Sequence, residues 1–507
     1  MKKELNNFFK KNKNFYKKNN FSEGLLIVSV TNNFIFNTIL LKFAKAIAEI
    51  ESLNTVYVPF FKPNSNINKL SDSFKLNFYL DHIKQILKNF FYFTPKIFIE
   101  LFKIKDGITL VNYSIKNVYI GKHIYDYILR RNNIPTIKKL SIINRLEIAL
   151  CLYYFYLIDD LIIKHNIKSL LTLDNVYVEG IVFELARFYN LKMYTGFDIN
   201  LLTLHLYETQ KDYECHCRTP DEKYISKIFR SKIYNQEALD FAKKRFSGKQ
   251  NQHDAKRAFS SSKEILNKQR IISDYNLDIN SEIVLVLPHV FCDAPHGYPS
   301  VFYQDYEHWL IDTLKILNRN NDLNVLIKEH PSAELYKEKG YLKRLLENHN
   351  FSNVKLVSNQ LNSKSLMNSV DYMITCGGTS GMEYAFHGIP VIIASSPPYG
   401  NFSFVNKANN LEDYHKMLRN IKKMVKPSKD EQLLASKLLY LFFDDYGIDR
   451  KKAHLDCYTI NLGENNDLKY FFSHISEPIR IKESHYYIKQ SLLNMINKNL
   501  KNLYKTN

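Results

Sequence analysis

Short, β-branched apolar runs recur along this chain, and each is followed by a stretch with helical apolar spacing. "GLLIVSV" (24–30) precedes "TNNFIFNTILLKFAKAIAEIE", and "NTVYVPFF" completes a strand–helix–strand unit. A helical pattern over 138–165 then leads to "SLLTLD" (169–174), "VYVEGIVFELARFYN" and "LKMYTG", a second such unit. In the second half "EIVLVLPHV", "QDYEHWLIDTLKILNR", "LNVLIKEHP", "AELYKEKGYLKRLLENH", "VKLV", "SKSLMNSV", "DYMIT", "SGMEYAFH" and "PVIIAS" alternate in the same way. Neighbouring parallel strands need a crossover, usually a helix, so this alternation predicts α/β architecture with parallel sheets. At 507 residues the chain exceeds one ordinary core. The expectation is two Rossmann-like doubly wound domains, 1–270 and 280–427, with a helical tail over 428–507. "FAKKRFSGKQNQHDAKRAFSSSKEILNKQR" (241–270) is basic, polar and rich in Ser, and is read as the region between them. The stretch 64–137 alternates apolar helical patterns with polar turns and yields no strand order.

Composition narrows the function classes. Hydrophobic residues at 45% and aromatics at 14% suffice for buried cores and exclude global disorder. The net charge of +19 accompanies abundant Lys, Asn, Ile, Phe and Tyr. With no zinc-finger spacing or RNA-recognition signature, it reads as coding bias plus general affinity for anions, not specific nucleic-acid binding. The six cysteines include no CxxC pair, and Cys215-His216-Cys217 is too tightly spaced to imply a zinc site, so reduced thiols in the cytoplasm are expected. The basic start "MKKELNNFFKKNKNFYKKNN" lacks the apolar centre of a signal peptide. "IALCLYYFYLI" stops at Asp159-Asp160, short of the roughly 20 residues a spanning helix needs, and reads as a buried helix. Membrane contact would be peripheral, through Lys-rich ends beside Phe and Tyr.

Three segments fall at the carboxyl ends of expected strands. In "CGGTSGMEYAFHGIPV" (376–391) Gly377 and Gly378 permit a sharp strand-to-helix turn with backbone N–H groups open to a ligand. Ser380 and Glu383 form the S-x-x-E pattern of a capping box, and His387, Gly388 and Pro390 supply the stop. Such a helix start, with the hydroxyls of Thr379 and Ser380, suits an anion, although a well-capped tight turn needs no ligand. "KEHPSAE" places Lys328, Glu329 and His330 at a strand end before a helix expected beyond Pro331, where Lys and His suit a phosphate or diphosphate. "LPHVFCDAPHGYPS" sets Asp293 between His289 and His296 in a third loop. A carboxylate between imidazoles can serve as base, nucleophile or metal ligand, with metal disfavoured because no second carboxylate lies at ligand spacing.

In the order "HVFCDAPHG", "DYEHWLIDTLK", "IKEHP", "CGGTSGMEYAFHGIPVI", over about 282–394, the chain resembles GT-B glycosyltransferases of bacterial capsule and surface-polysaccharide synthesis. It is most similar to those using CMP-Kdo or CMP-sialic acid. That resemblance implies two Rossmann-like domains facing across a cleft, with the acceptor on the first and the nucleotide sugar on the second. It implies that His330 and Thr379-Ser380 hold the nucleotide phosphate and that Glu383 meets the ribose; the placement of the residues themselves adds Lys328 and Gly378 to that phosphate site and makes Asp293, with His296, the choice for catalysis. It further implies a CMP-linked donor such as Kdo, a glycan or glycolipid acceptor and no bound metal; no other cofactor is expected, and the thiols and Lys-rich ends set the expected location as cytoplasmic, peripheral on the inner face of the membrane. Asp174 and Asp198, at strand ends in the first half, are rival catalytic carboxylates. A CDP-polyol phosphotransferase, a sugar-nucleotide epimerase and a non-catalytic assembly subunit would carry the same motifs.

Overall fold

The computed structural model describes residues 2–60, 64–80, 82–198, 201–250, 252–456 and 468–505; Cys457 lies outside them. Two compact units form: Met1–Tyr127 with Lys139–Asp221 and Asp444–Asn507, and Ile128–Lys138 with Glu222–Phe443.

The first unit is built on β1 (Gly24–Ser29), β2 (Asn54–Pro59), β3 (Phe78–Tyr79), β4 (Ile167–Leu171), β5 (Lys192–Thr195) and β6 (His205–Tyr207). Their order is β3-β2-β1-β4-β5-β6, parallel except for the edge pair β5–β6. Every residue of β1 is buried, as expected for a strand covered on both faces. The apolar run that stops at Asp159-Asp160 lies within the helix Ile142–Lys164, where Cys151, Leu152, Phe155 and Ile158 are buried. The stretch 64–137 is mostly helical: Ser65–Ser73, His82–Lys103, Gly107–Val111 and Gly121–Asn132.

The second unit repeats the plan with β7 (Glu282–Val286), β8 (Leu323–Lys328), β9 (Val354–Val357), β10 (Tyr372–Thr375), β11 (Val391–Ile393) and β12 (Asn406–Lys407). The order β12-β11-β10-β7-β8-β9 is the same 3-2-1-4-5-6 arrangement, here wholly parallel. Both sheets therefore have the Rossmann order, and the expected α/β class holds. Val284, Val325, Ile327 and Ile374 pack beneath Trp309, Leu310 and Leu314 of the helix Tyr306–Leu317. The Trp309 indole N–H donates to the Tyr414 hydroxyl at 2.9 Å, so the largest buried ring keeps its polar group satisfied.

The unit boundaries depart from those read in the sequence. The second unit takes Ile128–Lys138 from the first half and its main stretch starts at Glu222, so the segment read as lying between domains contributes to the helices Lys232–Phe246, His253–Ala258 and Lys268–Asp274 of that unit. Each helix buries only a narrow stripe (Ala238, Phe241 and Ala242 in the first), so a polar composition concealed it. The expected tail is divided too. The helix Lys429–Tyr440 packs on the helices Lys232–Phe246 and Ser380–Phe386, whereas the helix Pro478–Asn497 packs on Phe34–Ile50 in the first unit.

Candidate functional site

β7 and β10 are neighbours, as first and fourth strands of the second sheet, and the crevice beyond their carboxyl ends is its topological switch point. The two chains leaving them meet there. The Gly377 N–H donates to His289 Nε2 at 3.2 Å, and the imidazole stacks on Tyr306 with centroids 4.4 Å apart. Burial, with a smaller contribution from the charge on His330, lowers the His289 pKa to about 3. The ring is neutral near pH 7, accepting at Nε2 and carrying its proton on Nδ1. Gly377 is required sterically, because a Cβ there would lie 2.5 Å from Ser395 Oγ and 3.1 Å from the Tyr298 ring.

The helix that follows is Ser380–Phe386, and its capping differs from the expected box. Thr379 is the N-cap, in right-handed helical conformation and without a side-chain cap bond. Glu383 cannot reach back to Ser380, because Arg245 holds its carboxylate: Nε donates to Oε1 at 2.7 Å and Nη2 lies 2.6 Å away. Arg245 is 2% exposed, its guanidinium also lies 4.7 Å from the centroid of the Phe443 ring, and it bonds the Gln252 side chain. The stop is as expected. Gly388 has φ +77°, and the N–H groups of Gly388 and Ile389 bond to Ala385 and Tyr384.

At the end of β8, Lys328 and His330 face different surroundings. Lys328 is buried and donates to the Leu361 carbonyl at 2.5 Å and to Ser363 Oγ at 3.4 Å. Burial first, and then Lys263, lowers its pKa to about 7. His330 Nδ1 accepts from the Ser332 N–H at 3.2 Å, which leaves Nε2 as its protonated, donating nitrogen. Desolvation lowers its pKa, against the carboxylates of Asp254 and Asp293. The loop is braced from the supposed inter-domain segment: Ser332 Oγ bonds the Asp254 carboxylate, and Arg257 donates to the Pro331 carbonyl at 3.3 Å.

No helix begins directly beyond Pro331. A 3-10 turn, Ala333–Tyr336, is followed by Lys337 at φ +62°, and the α-helix is Tyr341–His349. The cause is Glu338, a buried carboxyl that accepts from the N–H groups of Phe291 and Cys292 at 2.9 Å each. Bringing it there buckles the chain and fixes the loop that carries Asp293.

Asp293 is half-buried and accepts a hydrogen bond from the Tyr336 hydroxyl, whose ring lies 4.4 Å from the Arg130 guanidinium carbon. Ala294, next in the chain, has φ +46°, a left-handed conformation that costs a residue with a Cβ roughly 1–3 kcal/mol. His296 lies half-buried in the same loop, inside the turn closed by Gly297 N–H to Ala294 O at 2.8 Å. The second unit thus gathers His289, Asp293, His330 and the Gly377–Gly378 turn at one sheet edge, while Lys328 is engaged with the 361–363 loop. Arg130, Arg245, Asp254, Tyr336 and Glu338 complete the surroundings. No motif marked them, since each is contributed by an element whose position depends on tertiary packing.

The rival carboxylates belong to the first unit. Asp174 follows β4, is exposed and accepts from the Asn175 N–H, and Asp198 pairs with Arg218 at 3.5 Å. His216 Nδ1 accepts from the Arg218 N–H, and burial lowers its pKa to about 3. Among the described residues no group of three or more His, Cys, Asp or Glu side chains could hold a metal ion, and no helix is long and apolar enough to cross a membrane.

Residues 221–443 match the family model of the capsule polysaccharide biosynthesis proteins, a span that takes in nearly all of the second unit. That span is similar to this family. No curated protein matches the chain. Among solved structures, the KpsC beta Kdo 2,4 transferase of Thermosulfurimonas dismutans is 14% identical, over 53% of this chain and 79% of that one, with a TM-score of 0.33. The KpsC beta Kdo 2,7 transferase of the same organism is 13% identical, over 59% and 88%, with a TM-score of 0.31. The UDP-GlcNAc 2-epimerase of Methanocaldococcus jannaschii is 10% identical, over 82% and 99%, with a TM-score of 0.26. Likeness at these scores says nothing of activity.

Proposed function

We propose that the chain is a glycosyltransferase of capsular or surface-polysaccharide synthesis, moving a sugar from a nucleotide donor, CMP-linked as with Kdo, to a growing glycan. The observation that carries this reading is that the span matching the capsule family contains the whole switch-point cluster: His289, Asp293, His330 and the 377–380 turn. Anionic ligands favour such crevices, where backbone N–H groups and a helix start face outward.

In the reaction, Asp293 takes the proton of the acceptor hydroxyl as its oxygen bonds the anomeric carbon. The bond from that carbon to the donor phosphate breaks, and its electron pair leaves with the phosphate. His330 Nε2–H and the hydroxyl and backbone N–H groups of Thr379 and Ser380 meet that developing charge, whereas the Gly377 and Gly378 N–H groups are bonded to His289 and Thr375. His296 flanks the carboxylate. Glu383, held by Arg245, keeps the helix start in register, and Lys328 secures the neighbouring 361–363 loop. No step requires a metal. We read the reaction as cytoplasmic, at the inner face of the membrane.

Thermal shift and calorimetry on the full chain with CMP, CDP, UDP and GDP test the donor class. A ligand that binds only the native state at 100 times its Kd stabilises it by about 2.7 kcal/mol. Selective stabilisation by the cytidine nucleotides is expected; selective response to UDP or GDP would remove the cytidine assignment. Sugar release that requires an acceptor identifies a transferase, whereas turnover without one identifies an epimerase.

A further inference from the structure

We propose that one face of the first unit, formed by the helix His82–Lys103, the turn after it and the start of the helix Ile142–Lys164, docks on an anionic lipid bilayer. From Tyr92 onward the first helix is apolar around most of its circumference, a pattern that normally accompanies burial on all sides. Only one side is covered. Phe93 and Ile97 are buried, Phe93 lying 5.6 Å from the rings of both Tyr153 and Tyr156. On the other side Tyr92, Phe98, Ile99 and Phe102 are 60–78% exposed, with the Phe98 and Phe102 rings 6.1 Å apart.

Further exposed apolar side chains stand on the adjoining helix. Arg145 donates to the Ile104 carbonyl at 3.3 Å, which ties the start of the second helix to the end of the first. There Ile142, Ile143 and Leu146 are 62–80% exposed. Seven exposed apolar side chains on two adjoining helices mark an interaction surface, not scattered surface residues.

Charge selects the partner. Lys96 sits over the Tyr92 ring at 3.8 Å, and Lys105 and Lys139, close in the chain to the ends of these two helices, are exposed. The acidic groups of this segment are already engaged: Glu100 pairs with Lys103 at 2.7 Å and accepts from Tyr113, and Asp106 caps the helix Gly107–Val111. The face therefore presents positive charge beside aromatic and aliphatic side chains. Aromatic rings and long lysine stems at that depth suit a headgroup boundary, where an amphipathic helix lies in the interface plane. Anionic headgroups complement the lysines. The surface does not depend on the transfer reaction.

Co-sedimentation of the full chain with vesicles tests the surface. Binding to phosphatidylglycerol–phosphatidylethanolamine vesicles is expected to exceed binding to phosphatidylcholine vesicles at least about tenfold at low salt, and to weaken in high salt. The double variant Phe98→Ser/Phe102→Ser should lose at least about tenfold of the affinity with an unchanged melting temperature, since both side chains are exposed. Lys105→Glu/Lys139→Glu should weaken anionic binding several-fold and leave binding to neutral vesicles unaltered. Absent vesicle binding, or equal binding by wild type and both variants, would overturn the proposal. So would a concentration-dependent dimer in light scattering that disappears in the double phenylalanine variant, because the patch would then be a self-association face.

Discussion

The two units share one strand order, and in each the fourth strand runs into a helix with a glutamate near its start. In the first unit β4 leads to the helix Tyr177–Phe188, and Glu179 folds back onto the turn, accepting from the Leu173 N–H at 3.1 Å and from the Asp174 backbone. Glu179 is 4% exposed, and Tyr177 takes a left-handed φ of +55° as the chain wraps around it. The crevice is filled by the protein's own carboxyl group. In the second unit β10 leads to the helix Ser380–Phe386, and Glu383 is drawn away to Arg245, leaving a turn lined by Gly377 and Gly378. One topology thus gives a turn capped by its own glutamate and a turn whose glutamate is held elsewhere. The choice lies in where a single carboxyl group finds its partner.

The largest expected effect breaks that difference. Arg245→Met leaves Glu383 with a buried and unpaired charge, for which the loss is typically about 3–5 kcal/mol. Urea denaturation should show it, and the freed carboxylate should compete for the 377–380 turn, so nucleotide binding falls as well. Adding Glu383→Gln should restore most of the stability. A loss below about 1 kcal/mol would mean that the pair does not hold Glu383 away from the 377–380 turn.

Asp293→Asn sharpens the comparison at the level of chemistry. Donor affinity should persist while transfer falls at least about 100-fold, the lower end for a positioned acid–base group. If Asp174→Asn or Asp198→Asn abolishes transfer and Asp293→Asn does not, the chemistry belongs to the first unit. His330→Ala should weaken nucleotide binding by about 1.5–3 kcal/mol, the range for a hydrogen bond to a charged group, with little loss of stability. Unchanged calorimetry would reduce the His-Pro segment to a turn.

The strand–helix alternation was legible because parallel strands buried on both faces leave unbroken apolar runs such as "GLLIVSV" and "NVLIK". The edge strands β6 and β12 were not, being two or three residues long with no pattern of their own. At the site, the glycines and His330 could be read because turn geometry and strand ends are local properties. The S-x-x-E pattern misled, since the Glu383 carboxylate is claimed by Arg245, 138 residues earlier. Likewise the helix expected beyond Pro331 gives way to the contact of Glu338 with a loop more than 40 residues away. Local rules failed where a buried charged or polar group answered to a distant partner.

The smallest effect uses protons to compare the two crevices. Burial, and then Asp174, raises the Glu179 pKa well above its ordinary 4.5, whereas burial lowers that of His289 from 6.5 to about 3. The signs are opposite. The folded chain keeps the Glu179 proton while the unfolded chain releases it above pH 4.5, so this contribution falls as pH rises. His289 stays neutral in the folded chain while the unfolded chain takes up a proton below pH 6.5, so its contribution is lost as pH falls. Between pH 4.5 and 6.5 each group can contribute a slope of at most about 1.4 kcal/mol per pH unit. Urea stabilities of wild type, Glu179→Gln and His289→Asn across this window isolate the terms. The wild-type advantage over Glu179→Gln should shrink with rising pH, while that over His289→Asn should grow and level off near 6.5. Parallel slopes would mean that one of the two groups does not keep its neutral form in the folded chain, and the assignment of a buried carboxyl to one turn and a buried neutral imidazole to the other would fail.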